Sequence, residues 1–273
     1  MKIYVFETSE SGFHNTRSAR AAVEKCGAIK NQGFGLQGNS FGIPVLNRKN
    51  EPLSLTKILP YVRKFVLFAQ MNPDYEFKVE NIGIESVKYP KEWIAPLFVG
   101  VPDNVSFFDE ELKELIQKPV YETRLLIISS RTFADVKKVF EITDKLTHFF
   151  DLKNIEMIPI IESLAGRLMN GYTKKHNIQT KLFKTPWDRL DVPTAVLKDN
   201  AKGRINAGAY YDKLAWAVAY GTDLLIFDDY KSKDMQTVIK HCSEGGYKSI
   251  LCFGSVLDTQ NQESGGFPSR TSV

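Results

Sequence analysis

The sequence predicts an α/β protein with two domains, and three observations carry the expectation. At 273 residues the chain is long for one domain and comfortable for two of ordinary size. Its composition, 43% hydrophobic and 25% charged, is that of a folded protein rather than a disordered one. Beyond Pro119 apolar strands and helices alternate regularly, the pattern of a parallel sheet covered on both faces.

In chain order, Lys2 to Glu7 alternates β-branched and aromatic residues and reads as a strand. Ser18 to Cys26 reads as a short helix, followed by a glycine-rich stretch from Gln32 to Pro44. Leu55, Ile58, Leu59, Val62, Val66 and Ala69 recur at helical spacing and predict an amphipathic helix over Ser54 to Met71. Pro60 either starts that helix or kinks it. Asn72-Pro73-Asp74 ends it, Glu76 to Ile82 reads as a strand, and Pro90 opens a short helix over Lys91 to Phe98. A charged helix over Asp109 to Gln117 precedes the domain boundary at 118/119. The second domain, 119–254, reads as strands at 124–129, 155–161, 180–183, 223–227 and 249–253. Its helices are expected at 134–149, 164–176, 207–220 and 232–243. The polar tail, 255–273, reads as flexible.

No apolar run approaches the roughly 20 residues that cross a bilayer. The N-terminus also lacks the apolar stretch of a leader, so a cytoplasmic protein with no membrane partner is expected. Cys26, Cys242 and Cys252 form neither a disulfide framework nor a zinc site, and each reads as a small buried hydrophobe. The four histidines are dispersed, so no metal site is expected. A net charge of +4 with scattered lysines argues against nucleic acid and leaves an anionic small ligand compatible.

The glycine-rich stretch is the first candidate site. Gly33, Gly35 and Gly38 match G-x-G-x-x-G, but Asn39-Ser40-Phe41-Gly42-Ile43-Pro44 follows instead of a helix, so neither a Rossmann fingerprint nor a Walker A loop is present. Dense glycines serve either a ligand approached by backbone amides or a plain connection. In the second domain, ligands of parallel sheets lie beyond the carboxyl ends of the strands. That edge gathers Ser129-Ser130-Arg131, Glu162-Ser163 and Asp228-Asp229-Tyr230. Arg131 suits a phosphate or a surface ion pair. Glu162 suits a water or a ribose hydroxyl, or the dipole of the following helix. Asp228 and Asp229, adjacent in a strand, face opposite sides. His14 and Trp187 read as ligand contacts or as ordinary loop residues.

Two resemblances sharpen these expectations. Leu126-Ile127-Ile128-Ser129-Ser130-Arg131-Thr132-Phe133, with Asn206-Ala207-Gly208-Ala209, Thr222 to Asp228 and Lys231-Ser232-Lys233-Asp234-Met235, resembles the YspA-like branch of the SLOG superfamily. Those domains are Rossmannoid and bind nucleotides, and some relatives cleave an N-glycosidic bond. The chain departs from the pattern at Ser129, where the family has Gly, at Pro159-Ile160-Ile161-Glu162-Ser163-Leu164-Ala165-Gly166, which replaces a Gly-rich turn, and at Lys233-Asp234, which replaces Gly-Thr. The phosphoribohydrolase signature is missing. In the first half, Ala21-Ala22 with Gly27-Ala28-Ile29, Gly35-Leu36-Gln37-Gly38-Asn39-Ser40-Phe41-Gly42-Ile43-Pro44 and Ile94-Ala95-Pro96-Leu97-Phe98 resemble a macrodomain-like family of phage and prophage proteins. Its usual Ile-Gly-x-Gly turn stands here as Ile82-Gly83-Ile84-Glu85.

The resemblances imply a macrodomain-like α/β domain, 1–118, followed by a SLOG-type Rossmann-like domain. They imply a NAD- or ADP-ribose-type ligand with no required cofactor. The ligand-binding set is then Gly33, Gly35, Gln37, Gly38, Asn39, Ser40, Gly83, Ser129, Ser130, Arg131, Asn206, Gly208 and Ser232. The expected function is nucleotide binding, as in a phage protein that sequesters or processes a signalling nucleotide in the host cytoplasm. Two alternatives stand beside it. One is an N-glycosidic hydrolase or transferase with Glu162 or Asp228 as the catalytic carboxylate. The other is an inhibitor of a host protein built on decayed nucleotide folds, and a homo-oligomer is compatible with each.

Overall fold

The computed structural model describes residues 1–146, 152–201, 203–228 and 232–254. The expected tail 255–273, residues 147–149 of the expected helix, and Asp229, Tyr230 and Lys231 lie outside the described residues. The fold is mixed α/β, built on two predominantly parallel sheets. The chain divides into two compact units, Met1–Lys118 with Thr185–Ala219, and Pro119–Lys184 with the chain from Tyr220 onward. Residues 185–219, read from sequence with the second domain, therefore fold with the first.

In the first unit β1 (Lys2–Ser9) lies at the centre, between β3 (Ser40–Leu46) and β4 (Glu76–Val79), and is parallel to both. β5 (Val105–Phe107) adds in parallel beside β4, and β2 (Gly35–Gln37) pairs antiparallel outside β3, giving the order β2-β3-β1-β4-β5. α1 (Arg17–Cys26) starts where the Thr16 side chain accepts the Ala19 amide and stops at Gly27 in left-handed conformation, both ordinary helix-terminal chemistry. α2 (Leu55–Met71) runs through Pro60 as one helix. Its buried face, Leu55, Ile58, Leu59, Val62, Phe65, Val66 and Ala69, packs on the sheet. Phe41 of β3 lies 5.2 Å from Phe65 and 5.3 Å from Phe68, ring centre to ring centre, so aromatic contacts reinforce the apolar burial.

The expected helix over 91–98 is α3 (Lys91–Ile94) followed by a 3-10 turn, Ala95–Phe98. Pro96 has no amide to continue the α-helical ladder. α4 (Glu110–Leu115) begins where Asp109 accepts the Leu112 amide. The returning segment adds a hairpin absent from the sequence reading, β8 (Leu197–Asn200) with β9 (Gly203–Asn206), and then α7 (Ala209–Tyr220). This segment joins the first unit through specific bonds. The Trp216 indole donates to the Trp93 carbonyl at 3.0 Å, and the hydroxyls of Tyr89 and Thr194 lie 2.7 Å apart.

The second unit holds β6 (Thr123–Ser129), α5 (Val136–Leu146), β7 (Ile155–Pro159), α6 (Leu164–His176), β10 (Asp223–Phe227), α8 (Lys233–Glu244) and β11 (Ser249–Phe253). Its strands are all parallel in the order β11-β10-β6-β7. The expected strand at 180–183 reduces to one bridge, Thr180 beside Met157. The core unites Leu125, Ile127, Met157, Leu225 and Phe227 of the sheet with Val139, Ile142, Ala165 and Met169 of the helices. Cys242 is buried as expected, whereas Cys26 and Cys252 are half-buried.

Candidate functional site at the carboxyl edges of the two sheets

Both sheets place the first parallel strand between the second and the third. Successive crossovers therefore leave it in opposite directions, and the carboxyl ends of the first and third strands are where parallel sheets of this order carry a crevice. In the first unit those strands are β1 and β4, and in the second they are β6 and β10.

At the second edge the Ser130 amide donates to the Phe227 carbonyl at 2.9 Å, which sets Ser130 beside Asp228. Ser130 and Asp228 are buried, and Arg131 is exposed on the following turn. Ser232 caps α8, its hydroxyl accepting the Met235 amide. Ser129 has a structural occupation, since its hydroxyl accepts the Ala165 amide at 3.2 Å and ties down the start of α6. Ser163 caps the same helix through the Gly166 amide at 3.1 Å. A Cβ on Gly166 would stand 2.0 Å from the Ile160 carbonyl oxygen, so that glycine answers to strand and helix in close approach. Glu162 is exposed on the intervening turn. Hydroxyls, one buried carboxyl, a guanidinium and a helix N-terminus thus share this edge, a combination suited to an anionic ligand bearing hydroxyl groups.

The glycine-rich stretch belongs to the first unit. A Cβ on Gly33 would lie 2.3 Å from the Ser9 carbonyl oxygen, and one on Gly38, where φ is +58°, 2.8 Å from the carbonyl oxygens of Cys26 and Gly27. These glycines admit the chain's own backbone. Gln37 is buried, accepting the Ile29 amide at 2.7 Å and donating to the Gln32 carbonyl at 3.3 Å. Ser40 donates to the Gln37 carbonyl at 2.7 Å, and the Asn39 amide to Cys26 at 2.7 Å. Pairing of Ser40 with Tyr4 and of Leu46 with Ser9 sets Gly38, Asn39 and Ser40 at the amino end of the sheet, opposite the crevice. Gly33, packed on Ser9, and Gly83 lie toward the carboxyl end, and Gly35 lies between on β2.

Asn206 and Gly208 belong to the first unit. The Asn206 side-chain oxygen accepts the amides of Val196 and Gly208, each at 3.0 Å, and ties the hairpin to α7. His14 is likewise engaged, with Nδ1 3.0 Å from the Thr8 hydroxyl and Nε2 2.9 Å from the Ile29 carbonyl. Trp187 is partly exposed, and its carbonyl accepts the Asn206 amide.

Sequence reasoning missed Glu7. It is 2% exposed, its Oε2 accepts the Gly83 amide at 2.9 Å, and burial pushes its carboxyl up to about 7. The Ser86 hydroxyl and amide face the same carboxyl and oppose that rise. Asn81 donates to Glu85 at 3.3 Å and leaves its own side-chain oxygen buried and unpaired. Glu80 accepts the Tyr4 hydroxyl at 3.0 Å. The signal was present: a carboxylate closes the apolar run Ile3-Tyr4-Val5-Phe6. A second such group, Asp212 of α7, is 3% exposed, and burial raises it to about 7 as well.

Among the described residues no group of His, Cys, Asp and Glu is placed to hold a metal ion, and no helix is long and apolar enough to cross a membrane. No protein-family model, no curated protein and no solved structure matches this chain.

Proposed function

We propose that the protein binds a small nucleotide-type ligand, of the NAD or ADP-ribose class, at the carboxyl edge of the second sheet. The observation that carries the reading is the seating of Ser130 beside Asp228 where the crossovers of that sheet reverse. There Arg131, exposed on the turn, meets phosphate oxygens, Ser130 and the start of α8 supply further donors, and Asp228 accepts ribose hydroxyls. The motif resemblance around Leu126 to Phe133 supports the same ligand class.

Thermal unfolding with NAD, ADP-ribose, AMP and cyclic dinucleotides tests it. A ligand at about 100 times its Kd adds about 2.7 kcal/mol of stability, so at least one member raises Tm. Arg131→Ala abolishes that rise without lowering the Tm of the free protein. A panel in which no member shifts Tm overturns the reading. Recovery of the bound nucleotide intact separates binding from turnover at an N-glycosidic bond.

A further inference from the structure

The start of α7 holds two polar side chains that the protein buries and leaves without partners. Asn206 is wholly buried, and its Oδ1 is committed to the amides of Val196 and Gly208. Nδ2, on the same carbon, keeps its N–H donors with no acceptor among the described residues, an arrangement native interiors avoid. Asp212 is 3% exposed, and among the described residues neither a hydrogen bond nor a cation offsets the burial that raises its carboxyl. Gly208 ties the two to one place, since its amide bonds Asn206 and its carbonyl accepts the Asp212 amide at 3.4 Å.

The neighbouring hydroxyls have no hydrogen left for Asp212. Tyr89, within reach of the Asp212 charge, donates to the Leu53 carbonyl at 3.0 Å, so Thr194 spends its own hydrogen on the Tyr89 oxygen at 2.7 Å. Asn206 therefore needs an acceptor and Asp212 a donor from outside the chain. An anion would satisfy Asn206 and be repelled by the carboxyl. A cation would satisfy Asp212 and face N–H donors at the positive end of a helix. A hydroxyl offers nothing that water does not. A neutral group with N–H beside C=O answers both side chains at once.

We propose that Asn206 and Asp212 form a subsite at the start of α7 for a neutral primary amide, Asn206 donating to the amide oxygen and Asp212 accepting from the amide nitrogen. The subsite belongs to the first unit and does not rest on the nucleotide reading of the second.

Titration of the full chain with acetamide, acetate and ethylammonium, three probes of similar size, tests it at pH 8, where Asp212 is ionised. The carbon-13 resonances of Asn206 Cγ and Asp212 Cγ report the site directly. Acetamide shifts both saturably, and the two charged probes shift neither. Asn206→Asp, which keeps an acceptor for the Val196 and Gly208 amides, weakens acetamide about tenfold through the loss of one buried hydrogen bond. Asp212→Asn reverses the ranking of acetamide and acetate, because a donor replaces the carboxyl that repels the anion. Such a gain cannot come from a failure to fold. No saturable shift with acetamide, equal shifts with all three probes, or continued exclusion of acetate from Asp212→Asn overturns the subsite. Failure of the nucleotide panel to raise Tm counts against the second-unit reading alone, because these resonances belong to the first unit.

Discussion

The two units thread their parallel strands in the same order, yet the edges where their crossovers reverse differ in chemistry, and only the second carries an arginine on the turn after its first strand. In the first, carboxylates follow the strands: Glu7 accepts the Gly83 amide, Glu80 the Tyr4 hydroxyl and Glu85 the Asn81 side chain. In the second, the strand ends run into Ser130, an exposed Arg131 and Asp228. Topology decides where a crevice forms, because the reversal follows from strand order alone. The two or three residues after each strand decide what it attracts, and fold alone does not.

Four measurements break or sharpen that contrast. The largest effect is expected from glycines that admit backbone. Gly166→Ala places a methyl 2.0 Å from the Ile160 oxygen, and Gly33→Ala places one 2.3 Å from the Ser9 oxygen, each costing about 3 kcal/mol as overpacking. The three tryptophans, Trp93, Trp187 and Trp216, all lie in the first unit, so fluorescence follows that unit while circular dichroism follows both. In urea, Gly33→Ala lowers the fluorescence midpoint, and Gly166→Ala lowers the dichroism transition while leaving fluorescence in place. A joint shift in both variants would show the units unfolding as one.

The next effect is pH dependence of the first unit. Glu7 and Asp212 are raised by burial from 4.5 and 3.8 to about 7. The folded form therefore holds its protons more tightly than the unfolded form. The resulting stabilisation is complete below about pH 4, falls as pH rises, and is gone once pH has passed about 7. At about 1.4 kcal/mol per tenfold change in ionisation, the two groups account for about 3 to 4 kcal/mol each over the window, Asp212 for the larger share. The fluorescence midpoint is accordingly higher at pH 5 than at pH 8. Glu7→Gln and Asp212→Asn each flatten that dependence, and an unchanged slope in both would refute the assignment.

Smaller effects compare helix starts. Ser163→Ala in the second unit and Thr16→Ala in the first each remove a hydroxyl that accepts an amide of the opening turn, at about 1 kcal/mol apiece. Fluorescence registers only the second of these. The smallest effect has the reverse sign. Gly171 is exposed within α6 and has open space where a Cβ would go, so Gly171→Ala stabilises the second unit by about 0.5–1 kcal/mol. Its dichroism transition moves upward.

Much of the architecture was legible because periodicity is a local signal. The strands at 124–129, 223–227 and 249–253 stand where apolar runs placed them, and α2 lies where its apolar face recurs. Partnership between distant segments was not legible. α7 carries Ala209, Leu214, Ala215, Val218 and Ala219 in buried positions, and an apolar helix of that kind fits any sheet. Trp216 meeting Trp93 is what assigns it to the first unit. The β8–β9 hairpin escaped because its strands are almost wholly exposed and so lack alternation. At the candidate sites, Ser130 and Asp228 were readable as strand ends. The glycine-rich stretch misled because glycines that admit a ligand and glycines that admit the chain's own backbone leave the same trace. Glu7 was readable as a carboxylate in an apolar strand, but its weight depends on Gly83, 76 residues away.

The division of the chain also constrains the order in which it is made. The polypeptide passes between units at 118/119, 184/185 and 219/220. When residue 118 leaves the ribosome, the first unit has its five-stranded sheet but neither α7 nor the indole that caps the Trp93 carbonyl. β6 and β7 of the other unit are translated before that missing piece arrives. A fragment ending at 118 is therefore an unfinished body, whereas one ending at 219 holds every segment of the first unit and strands two orphaned strands of the second. Synthesis from the N-terminus thus completes neither unit before residue 219 has been added.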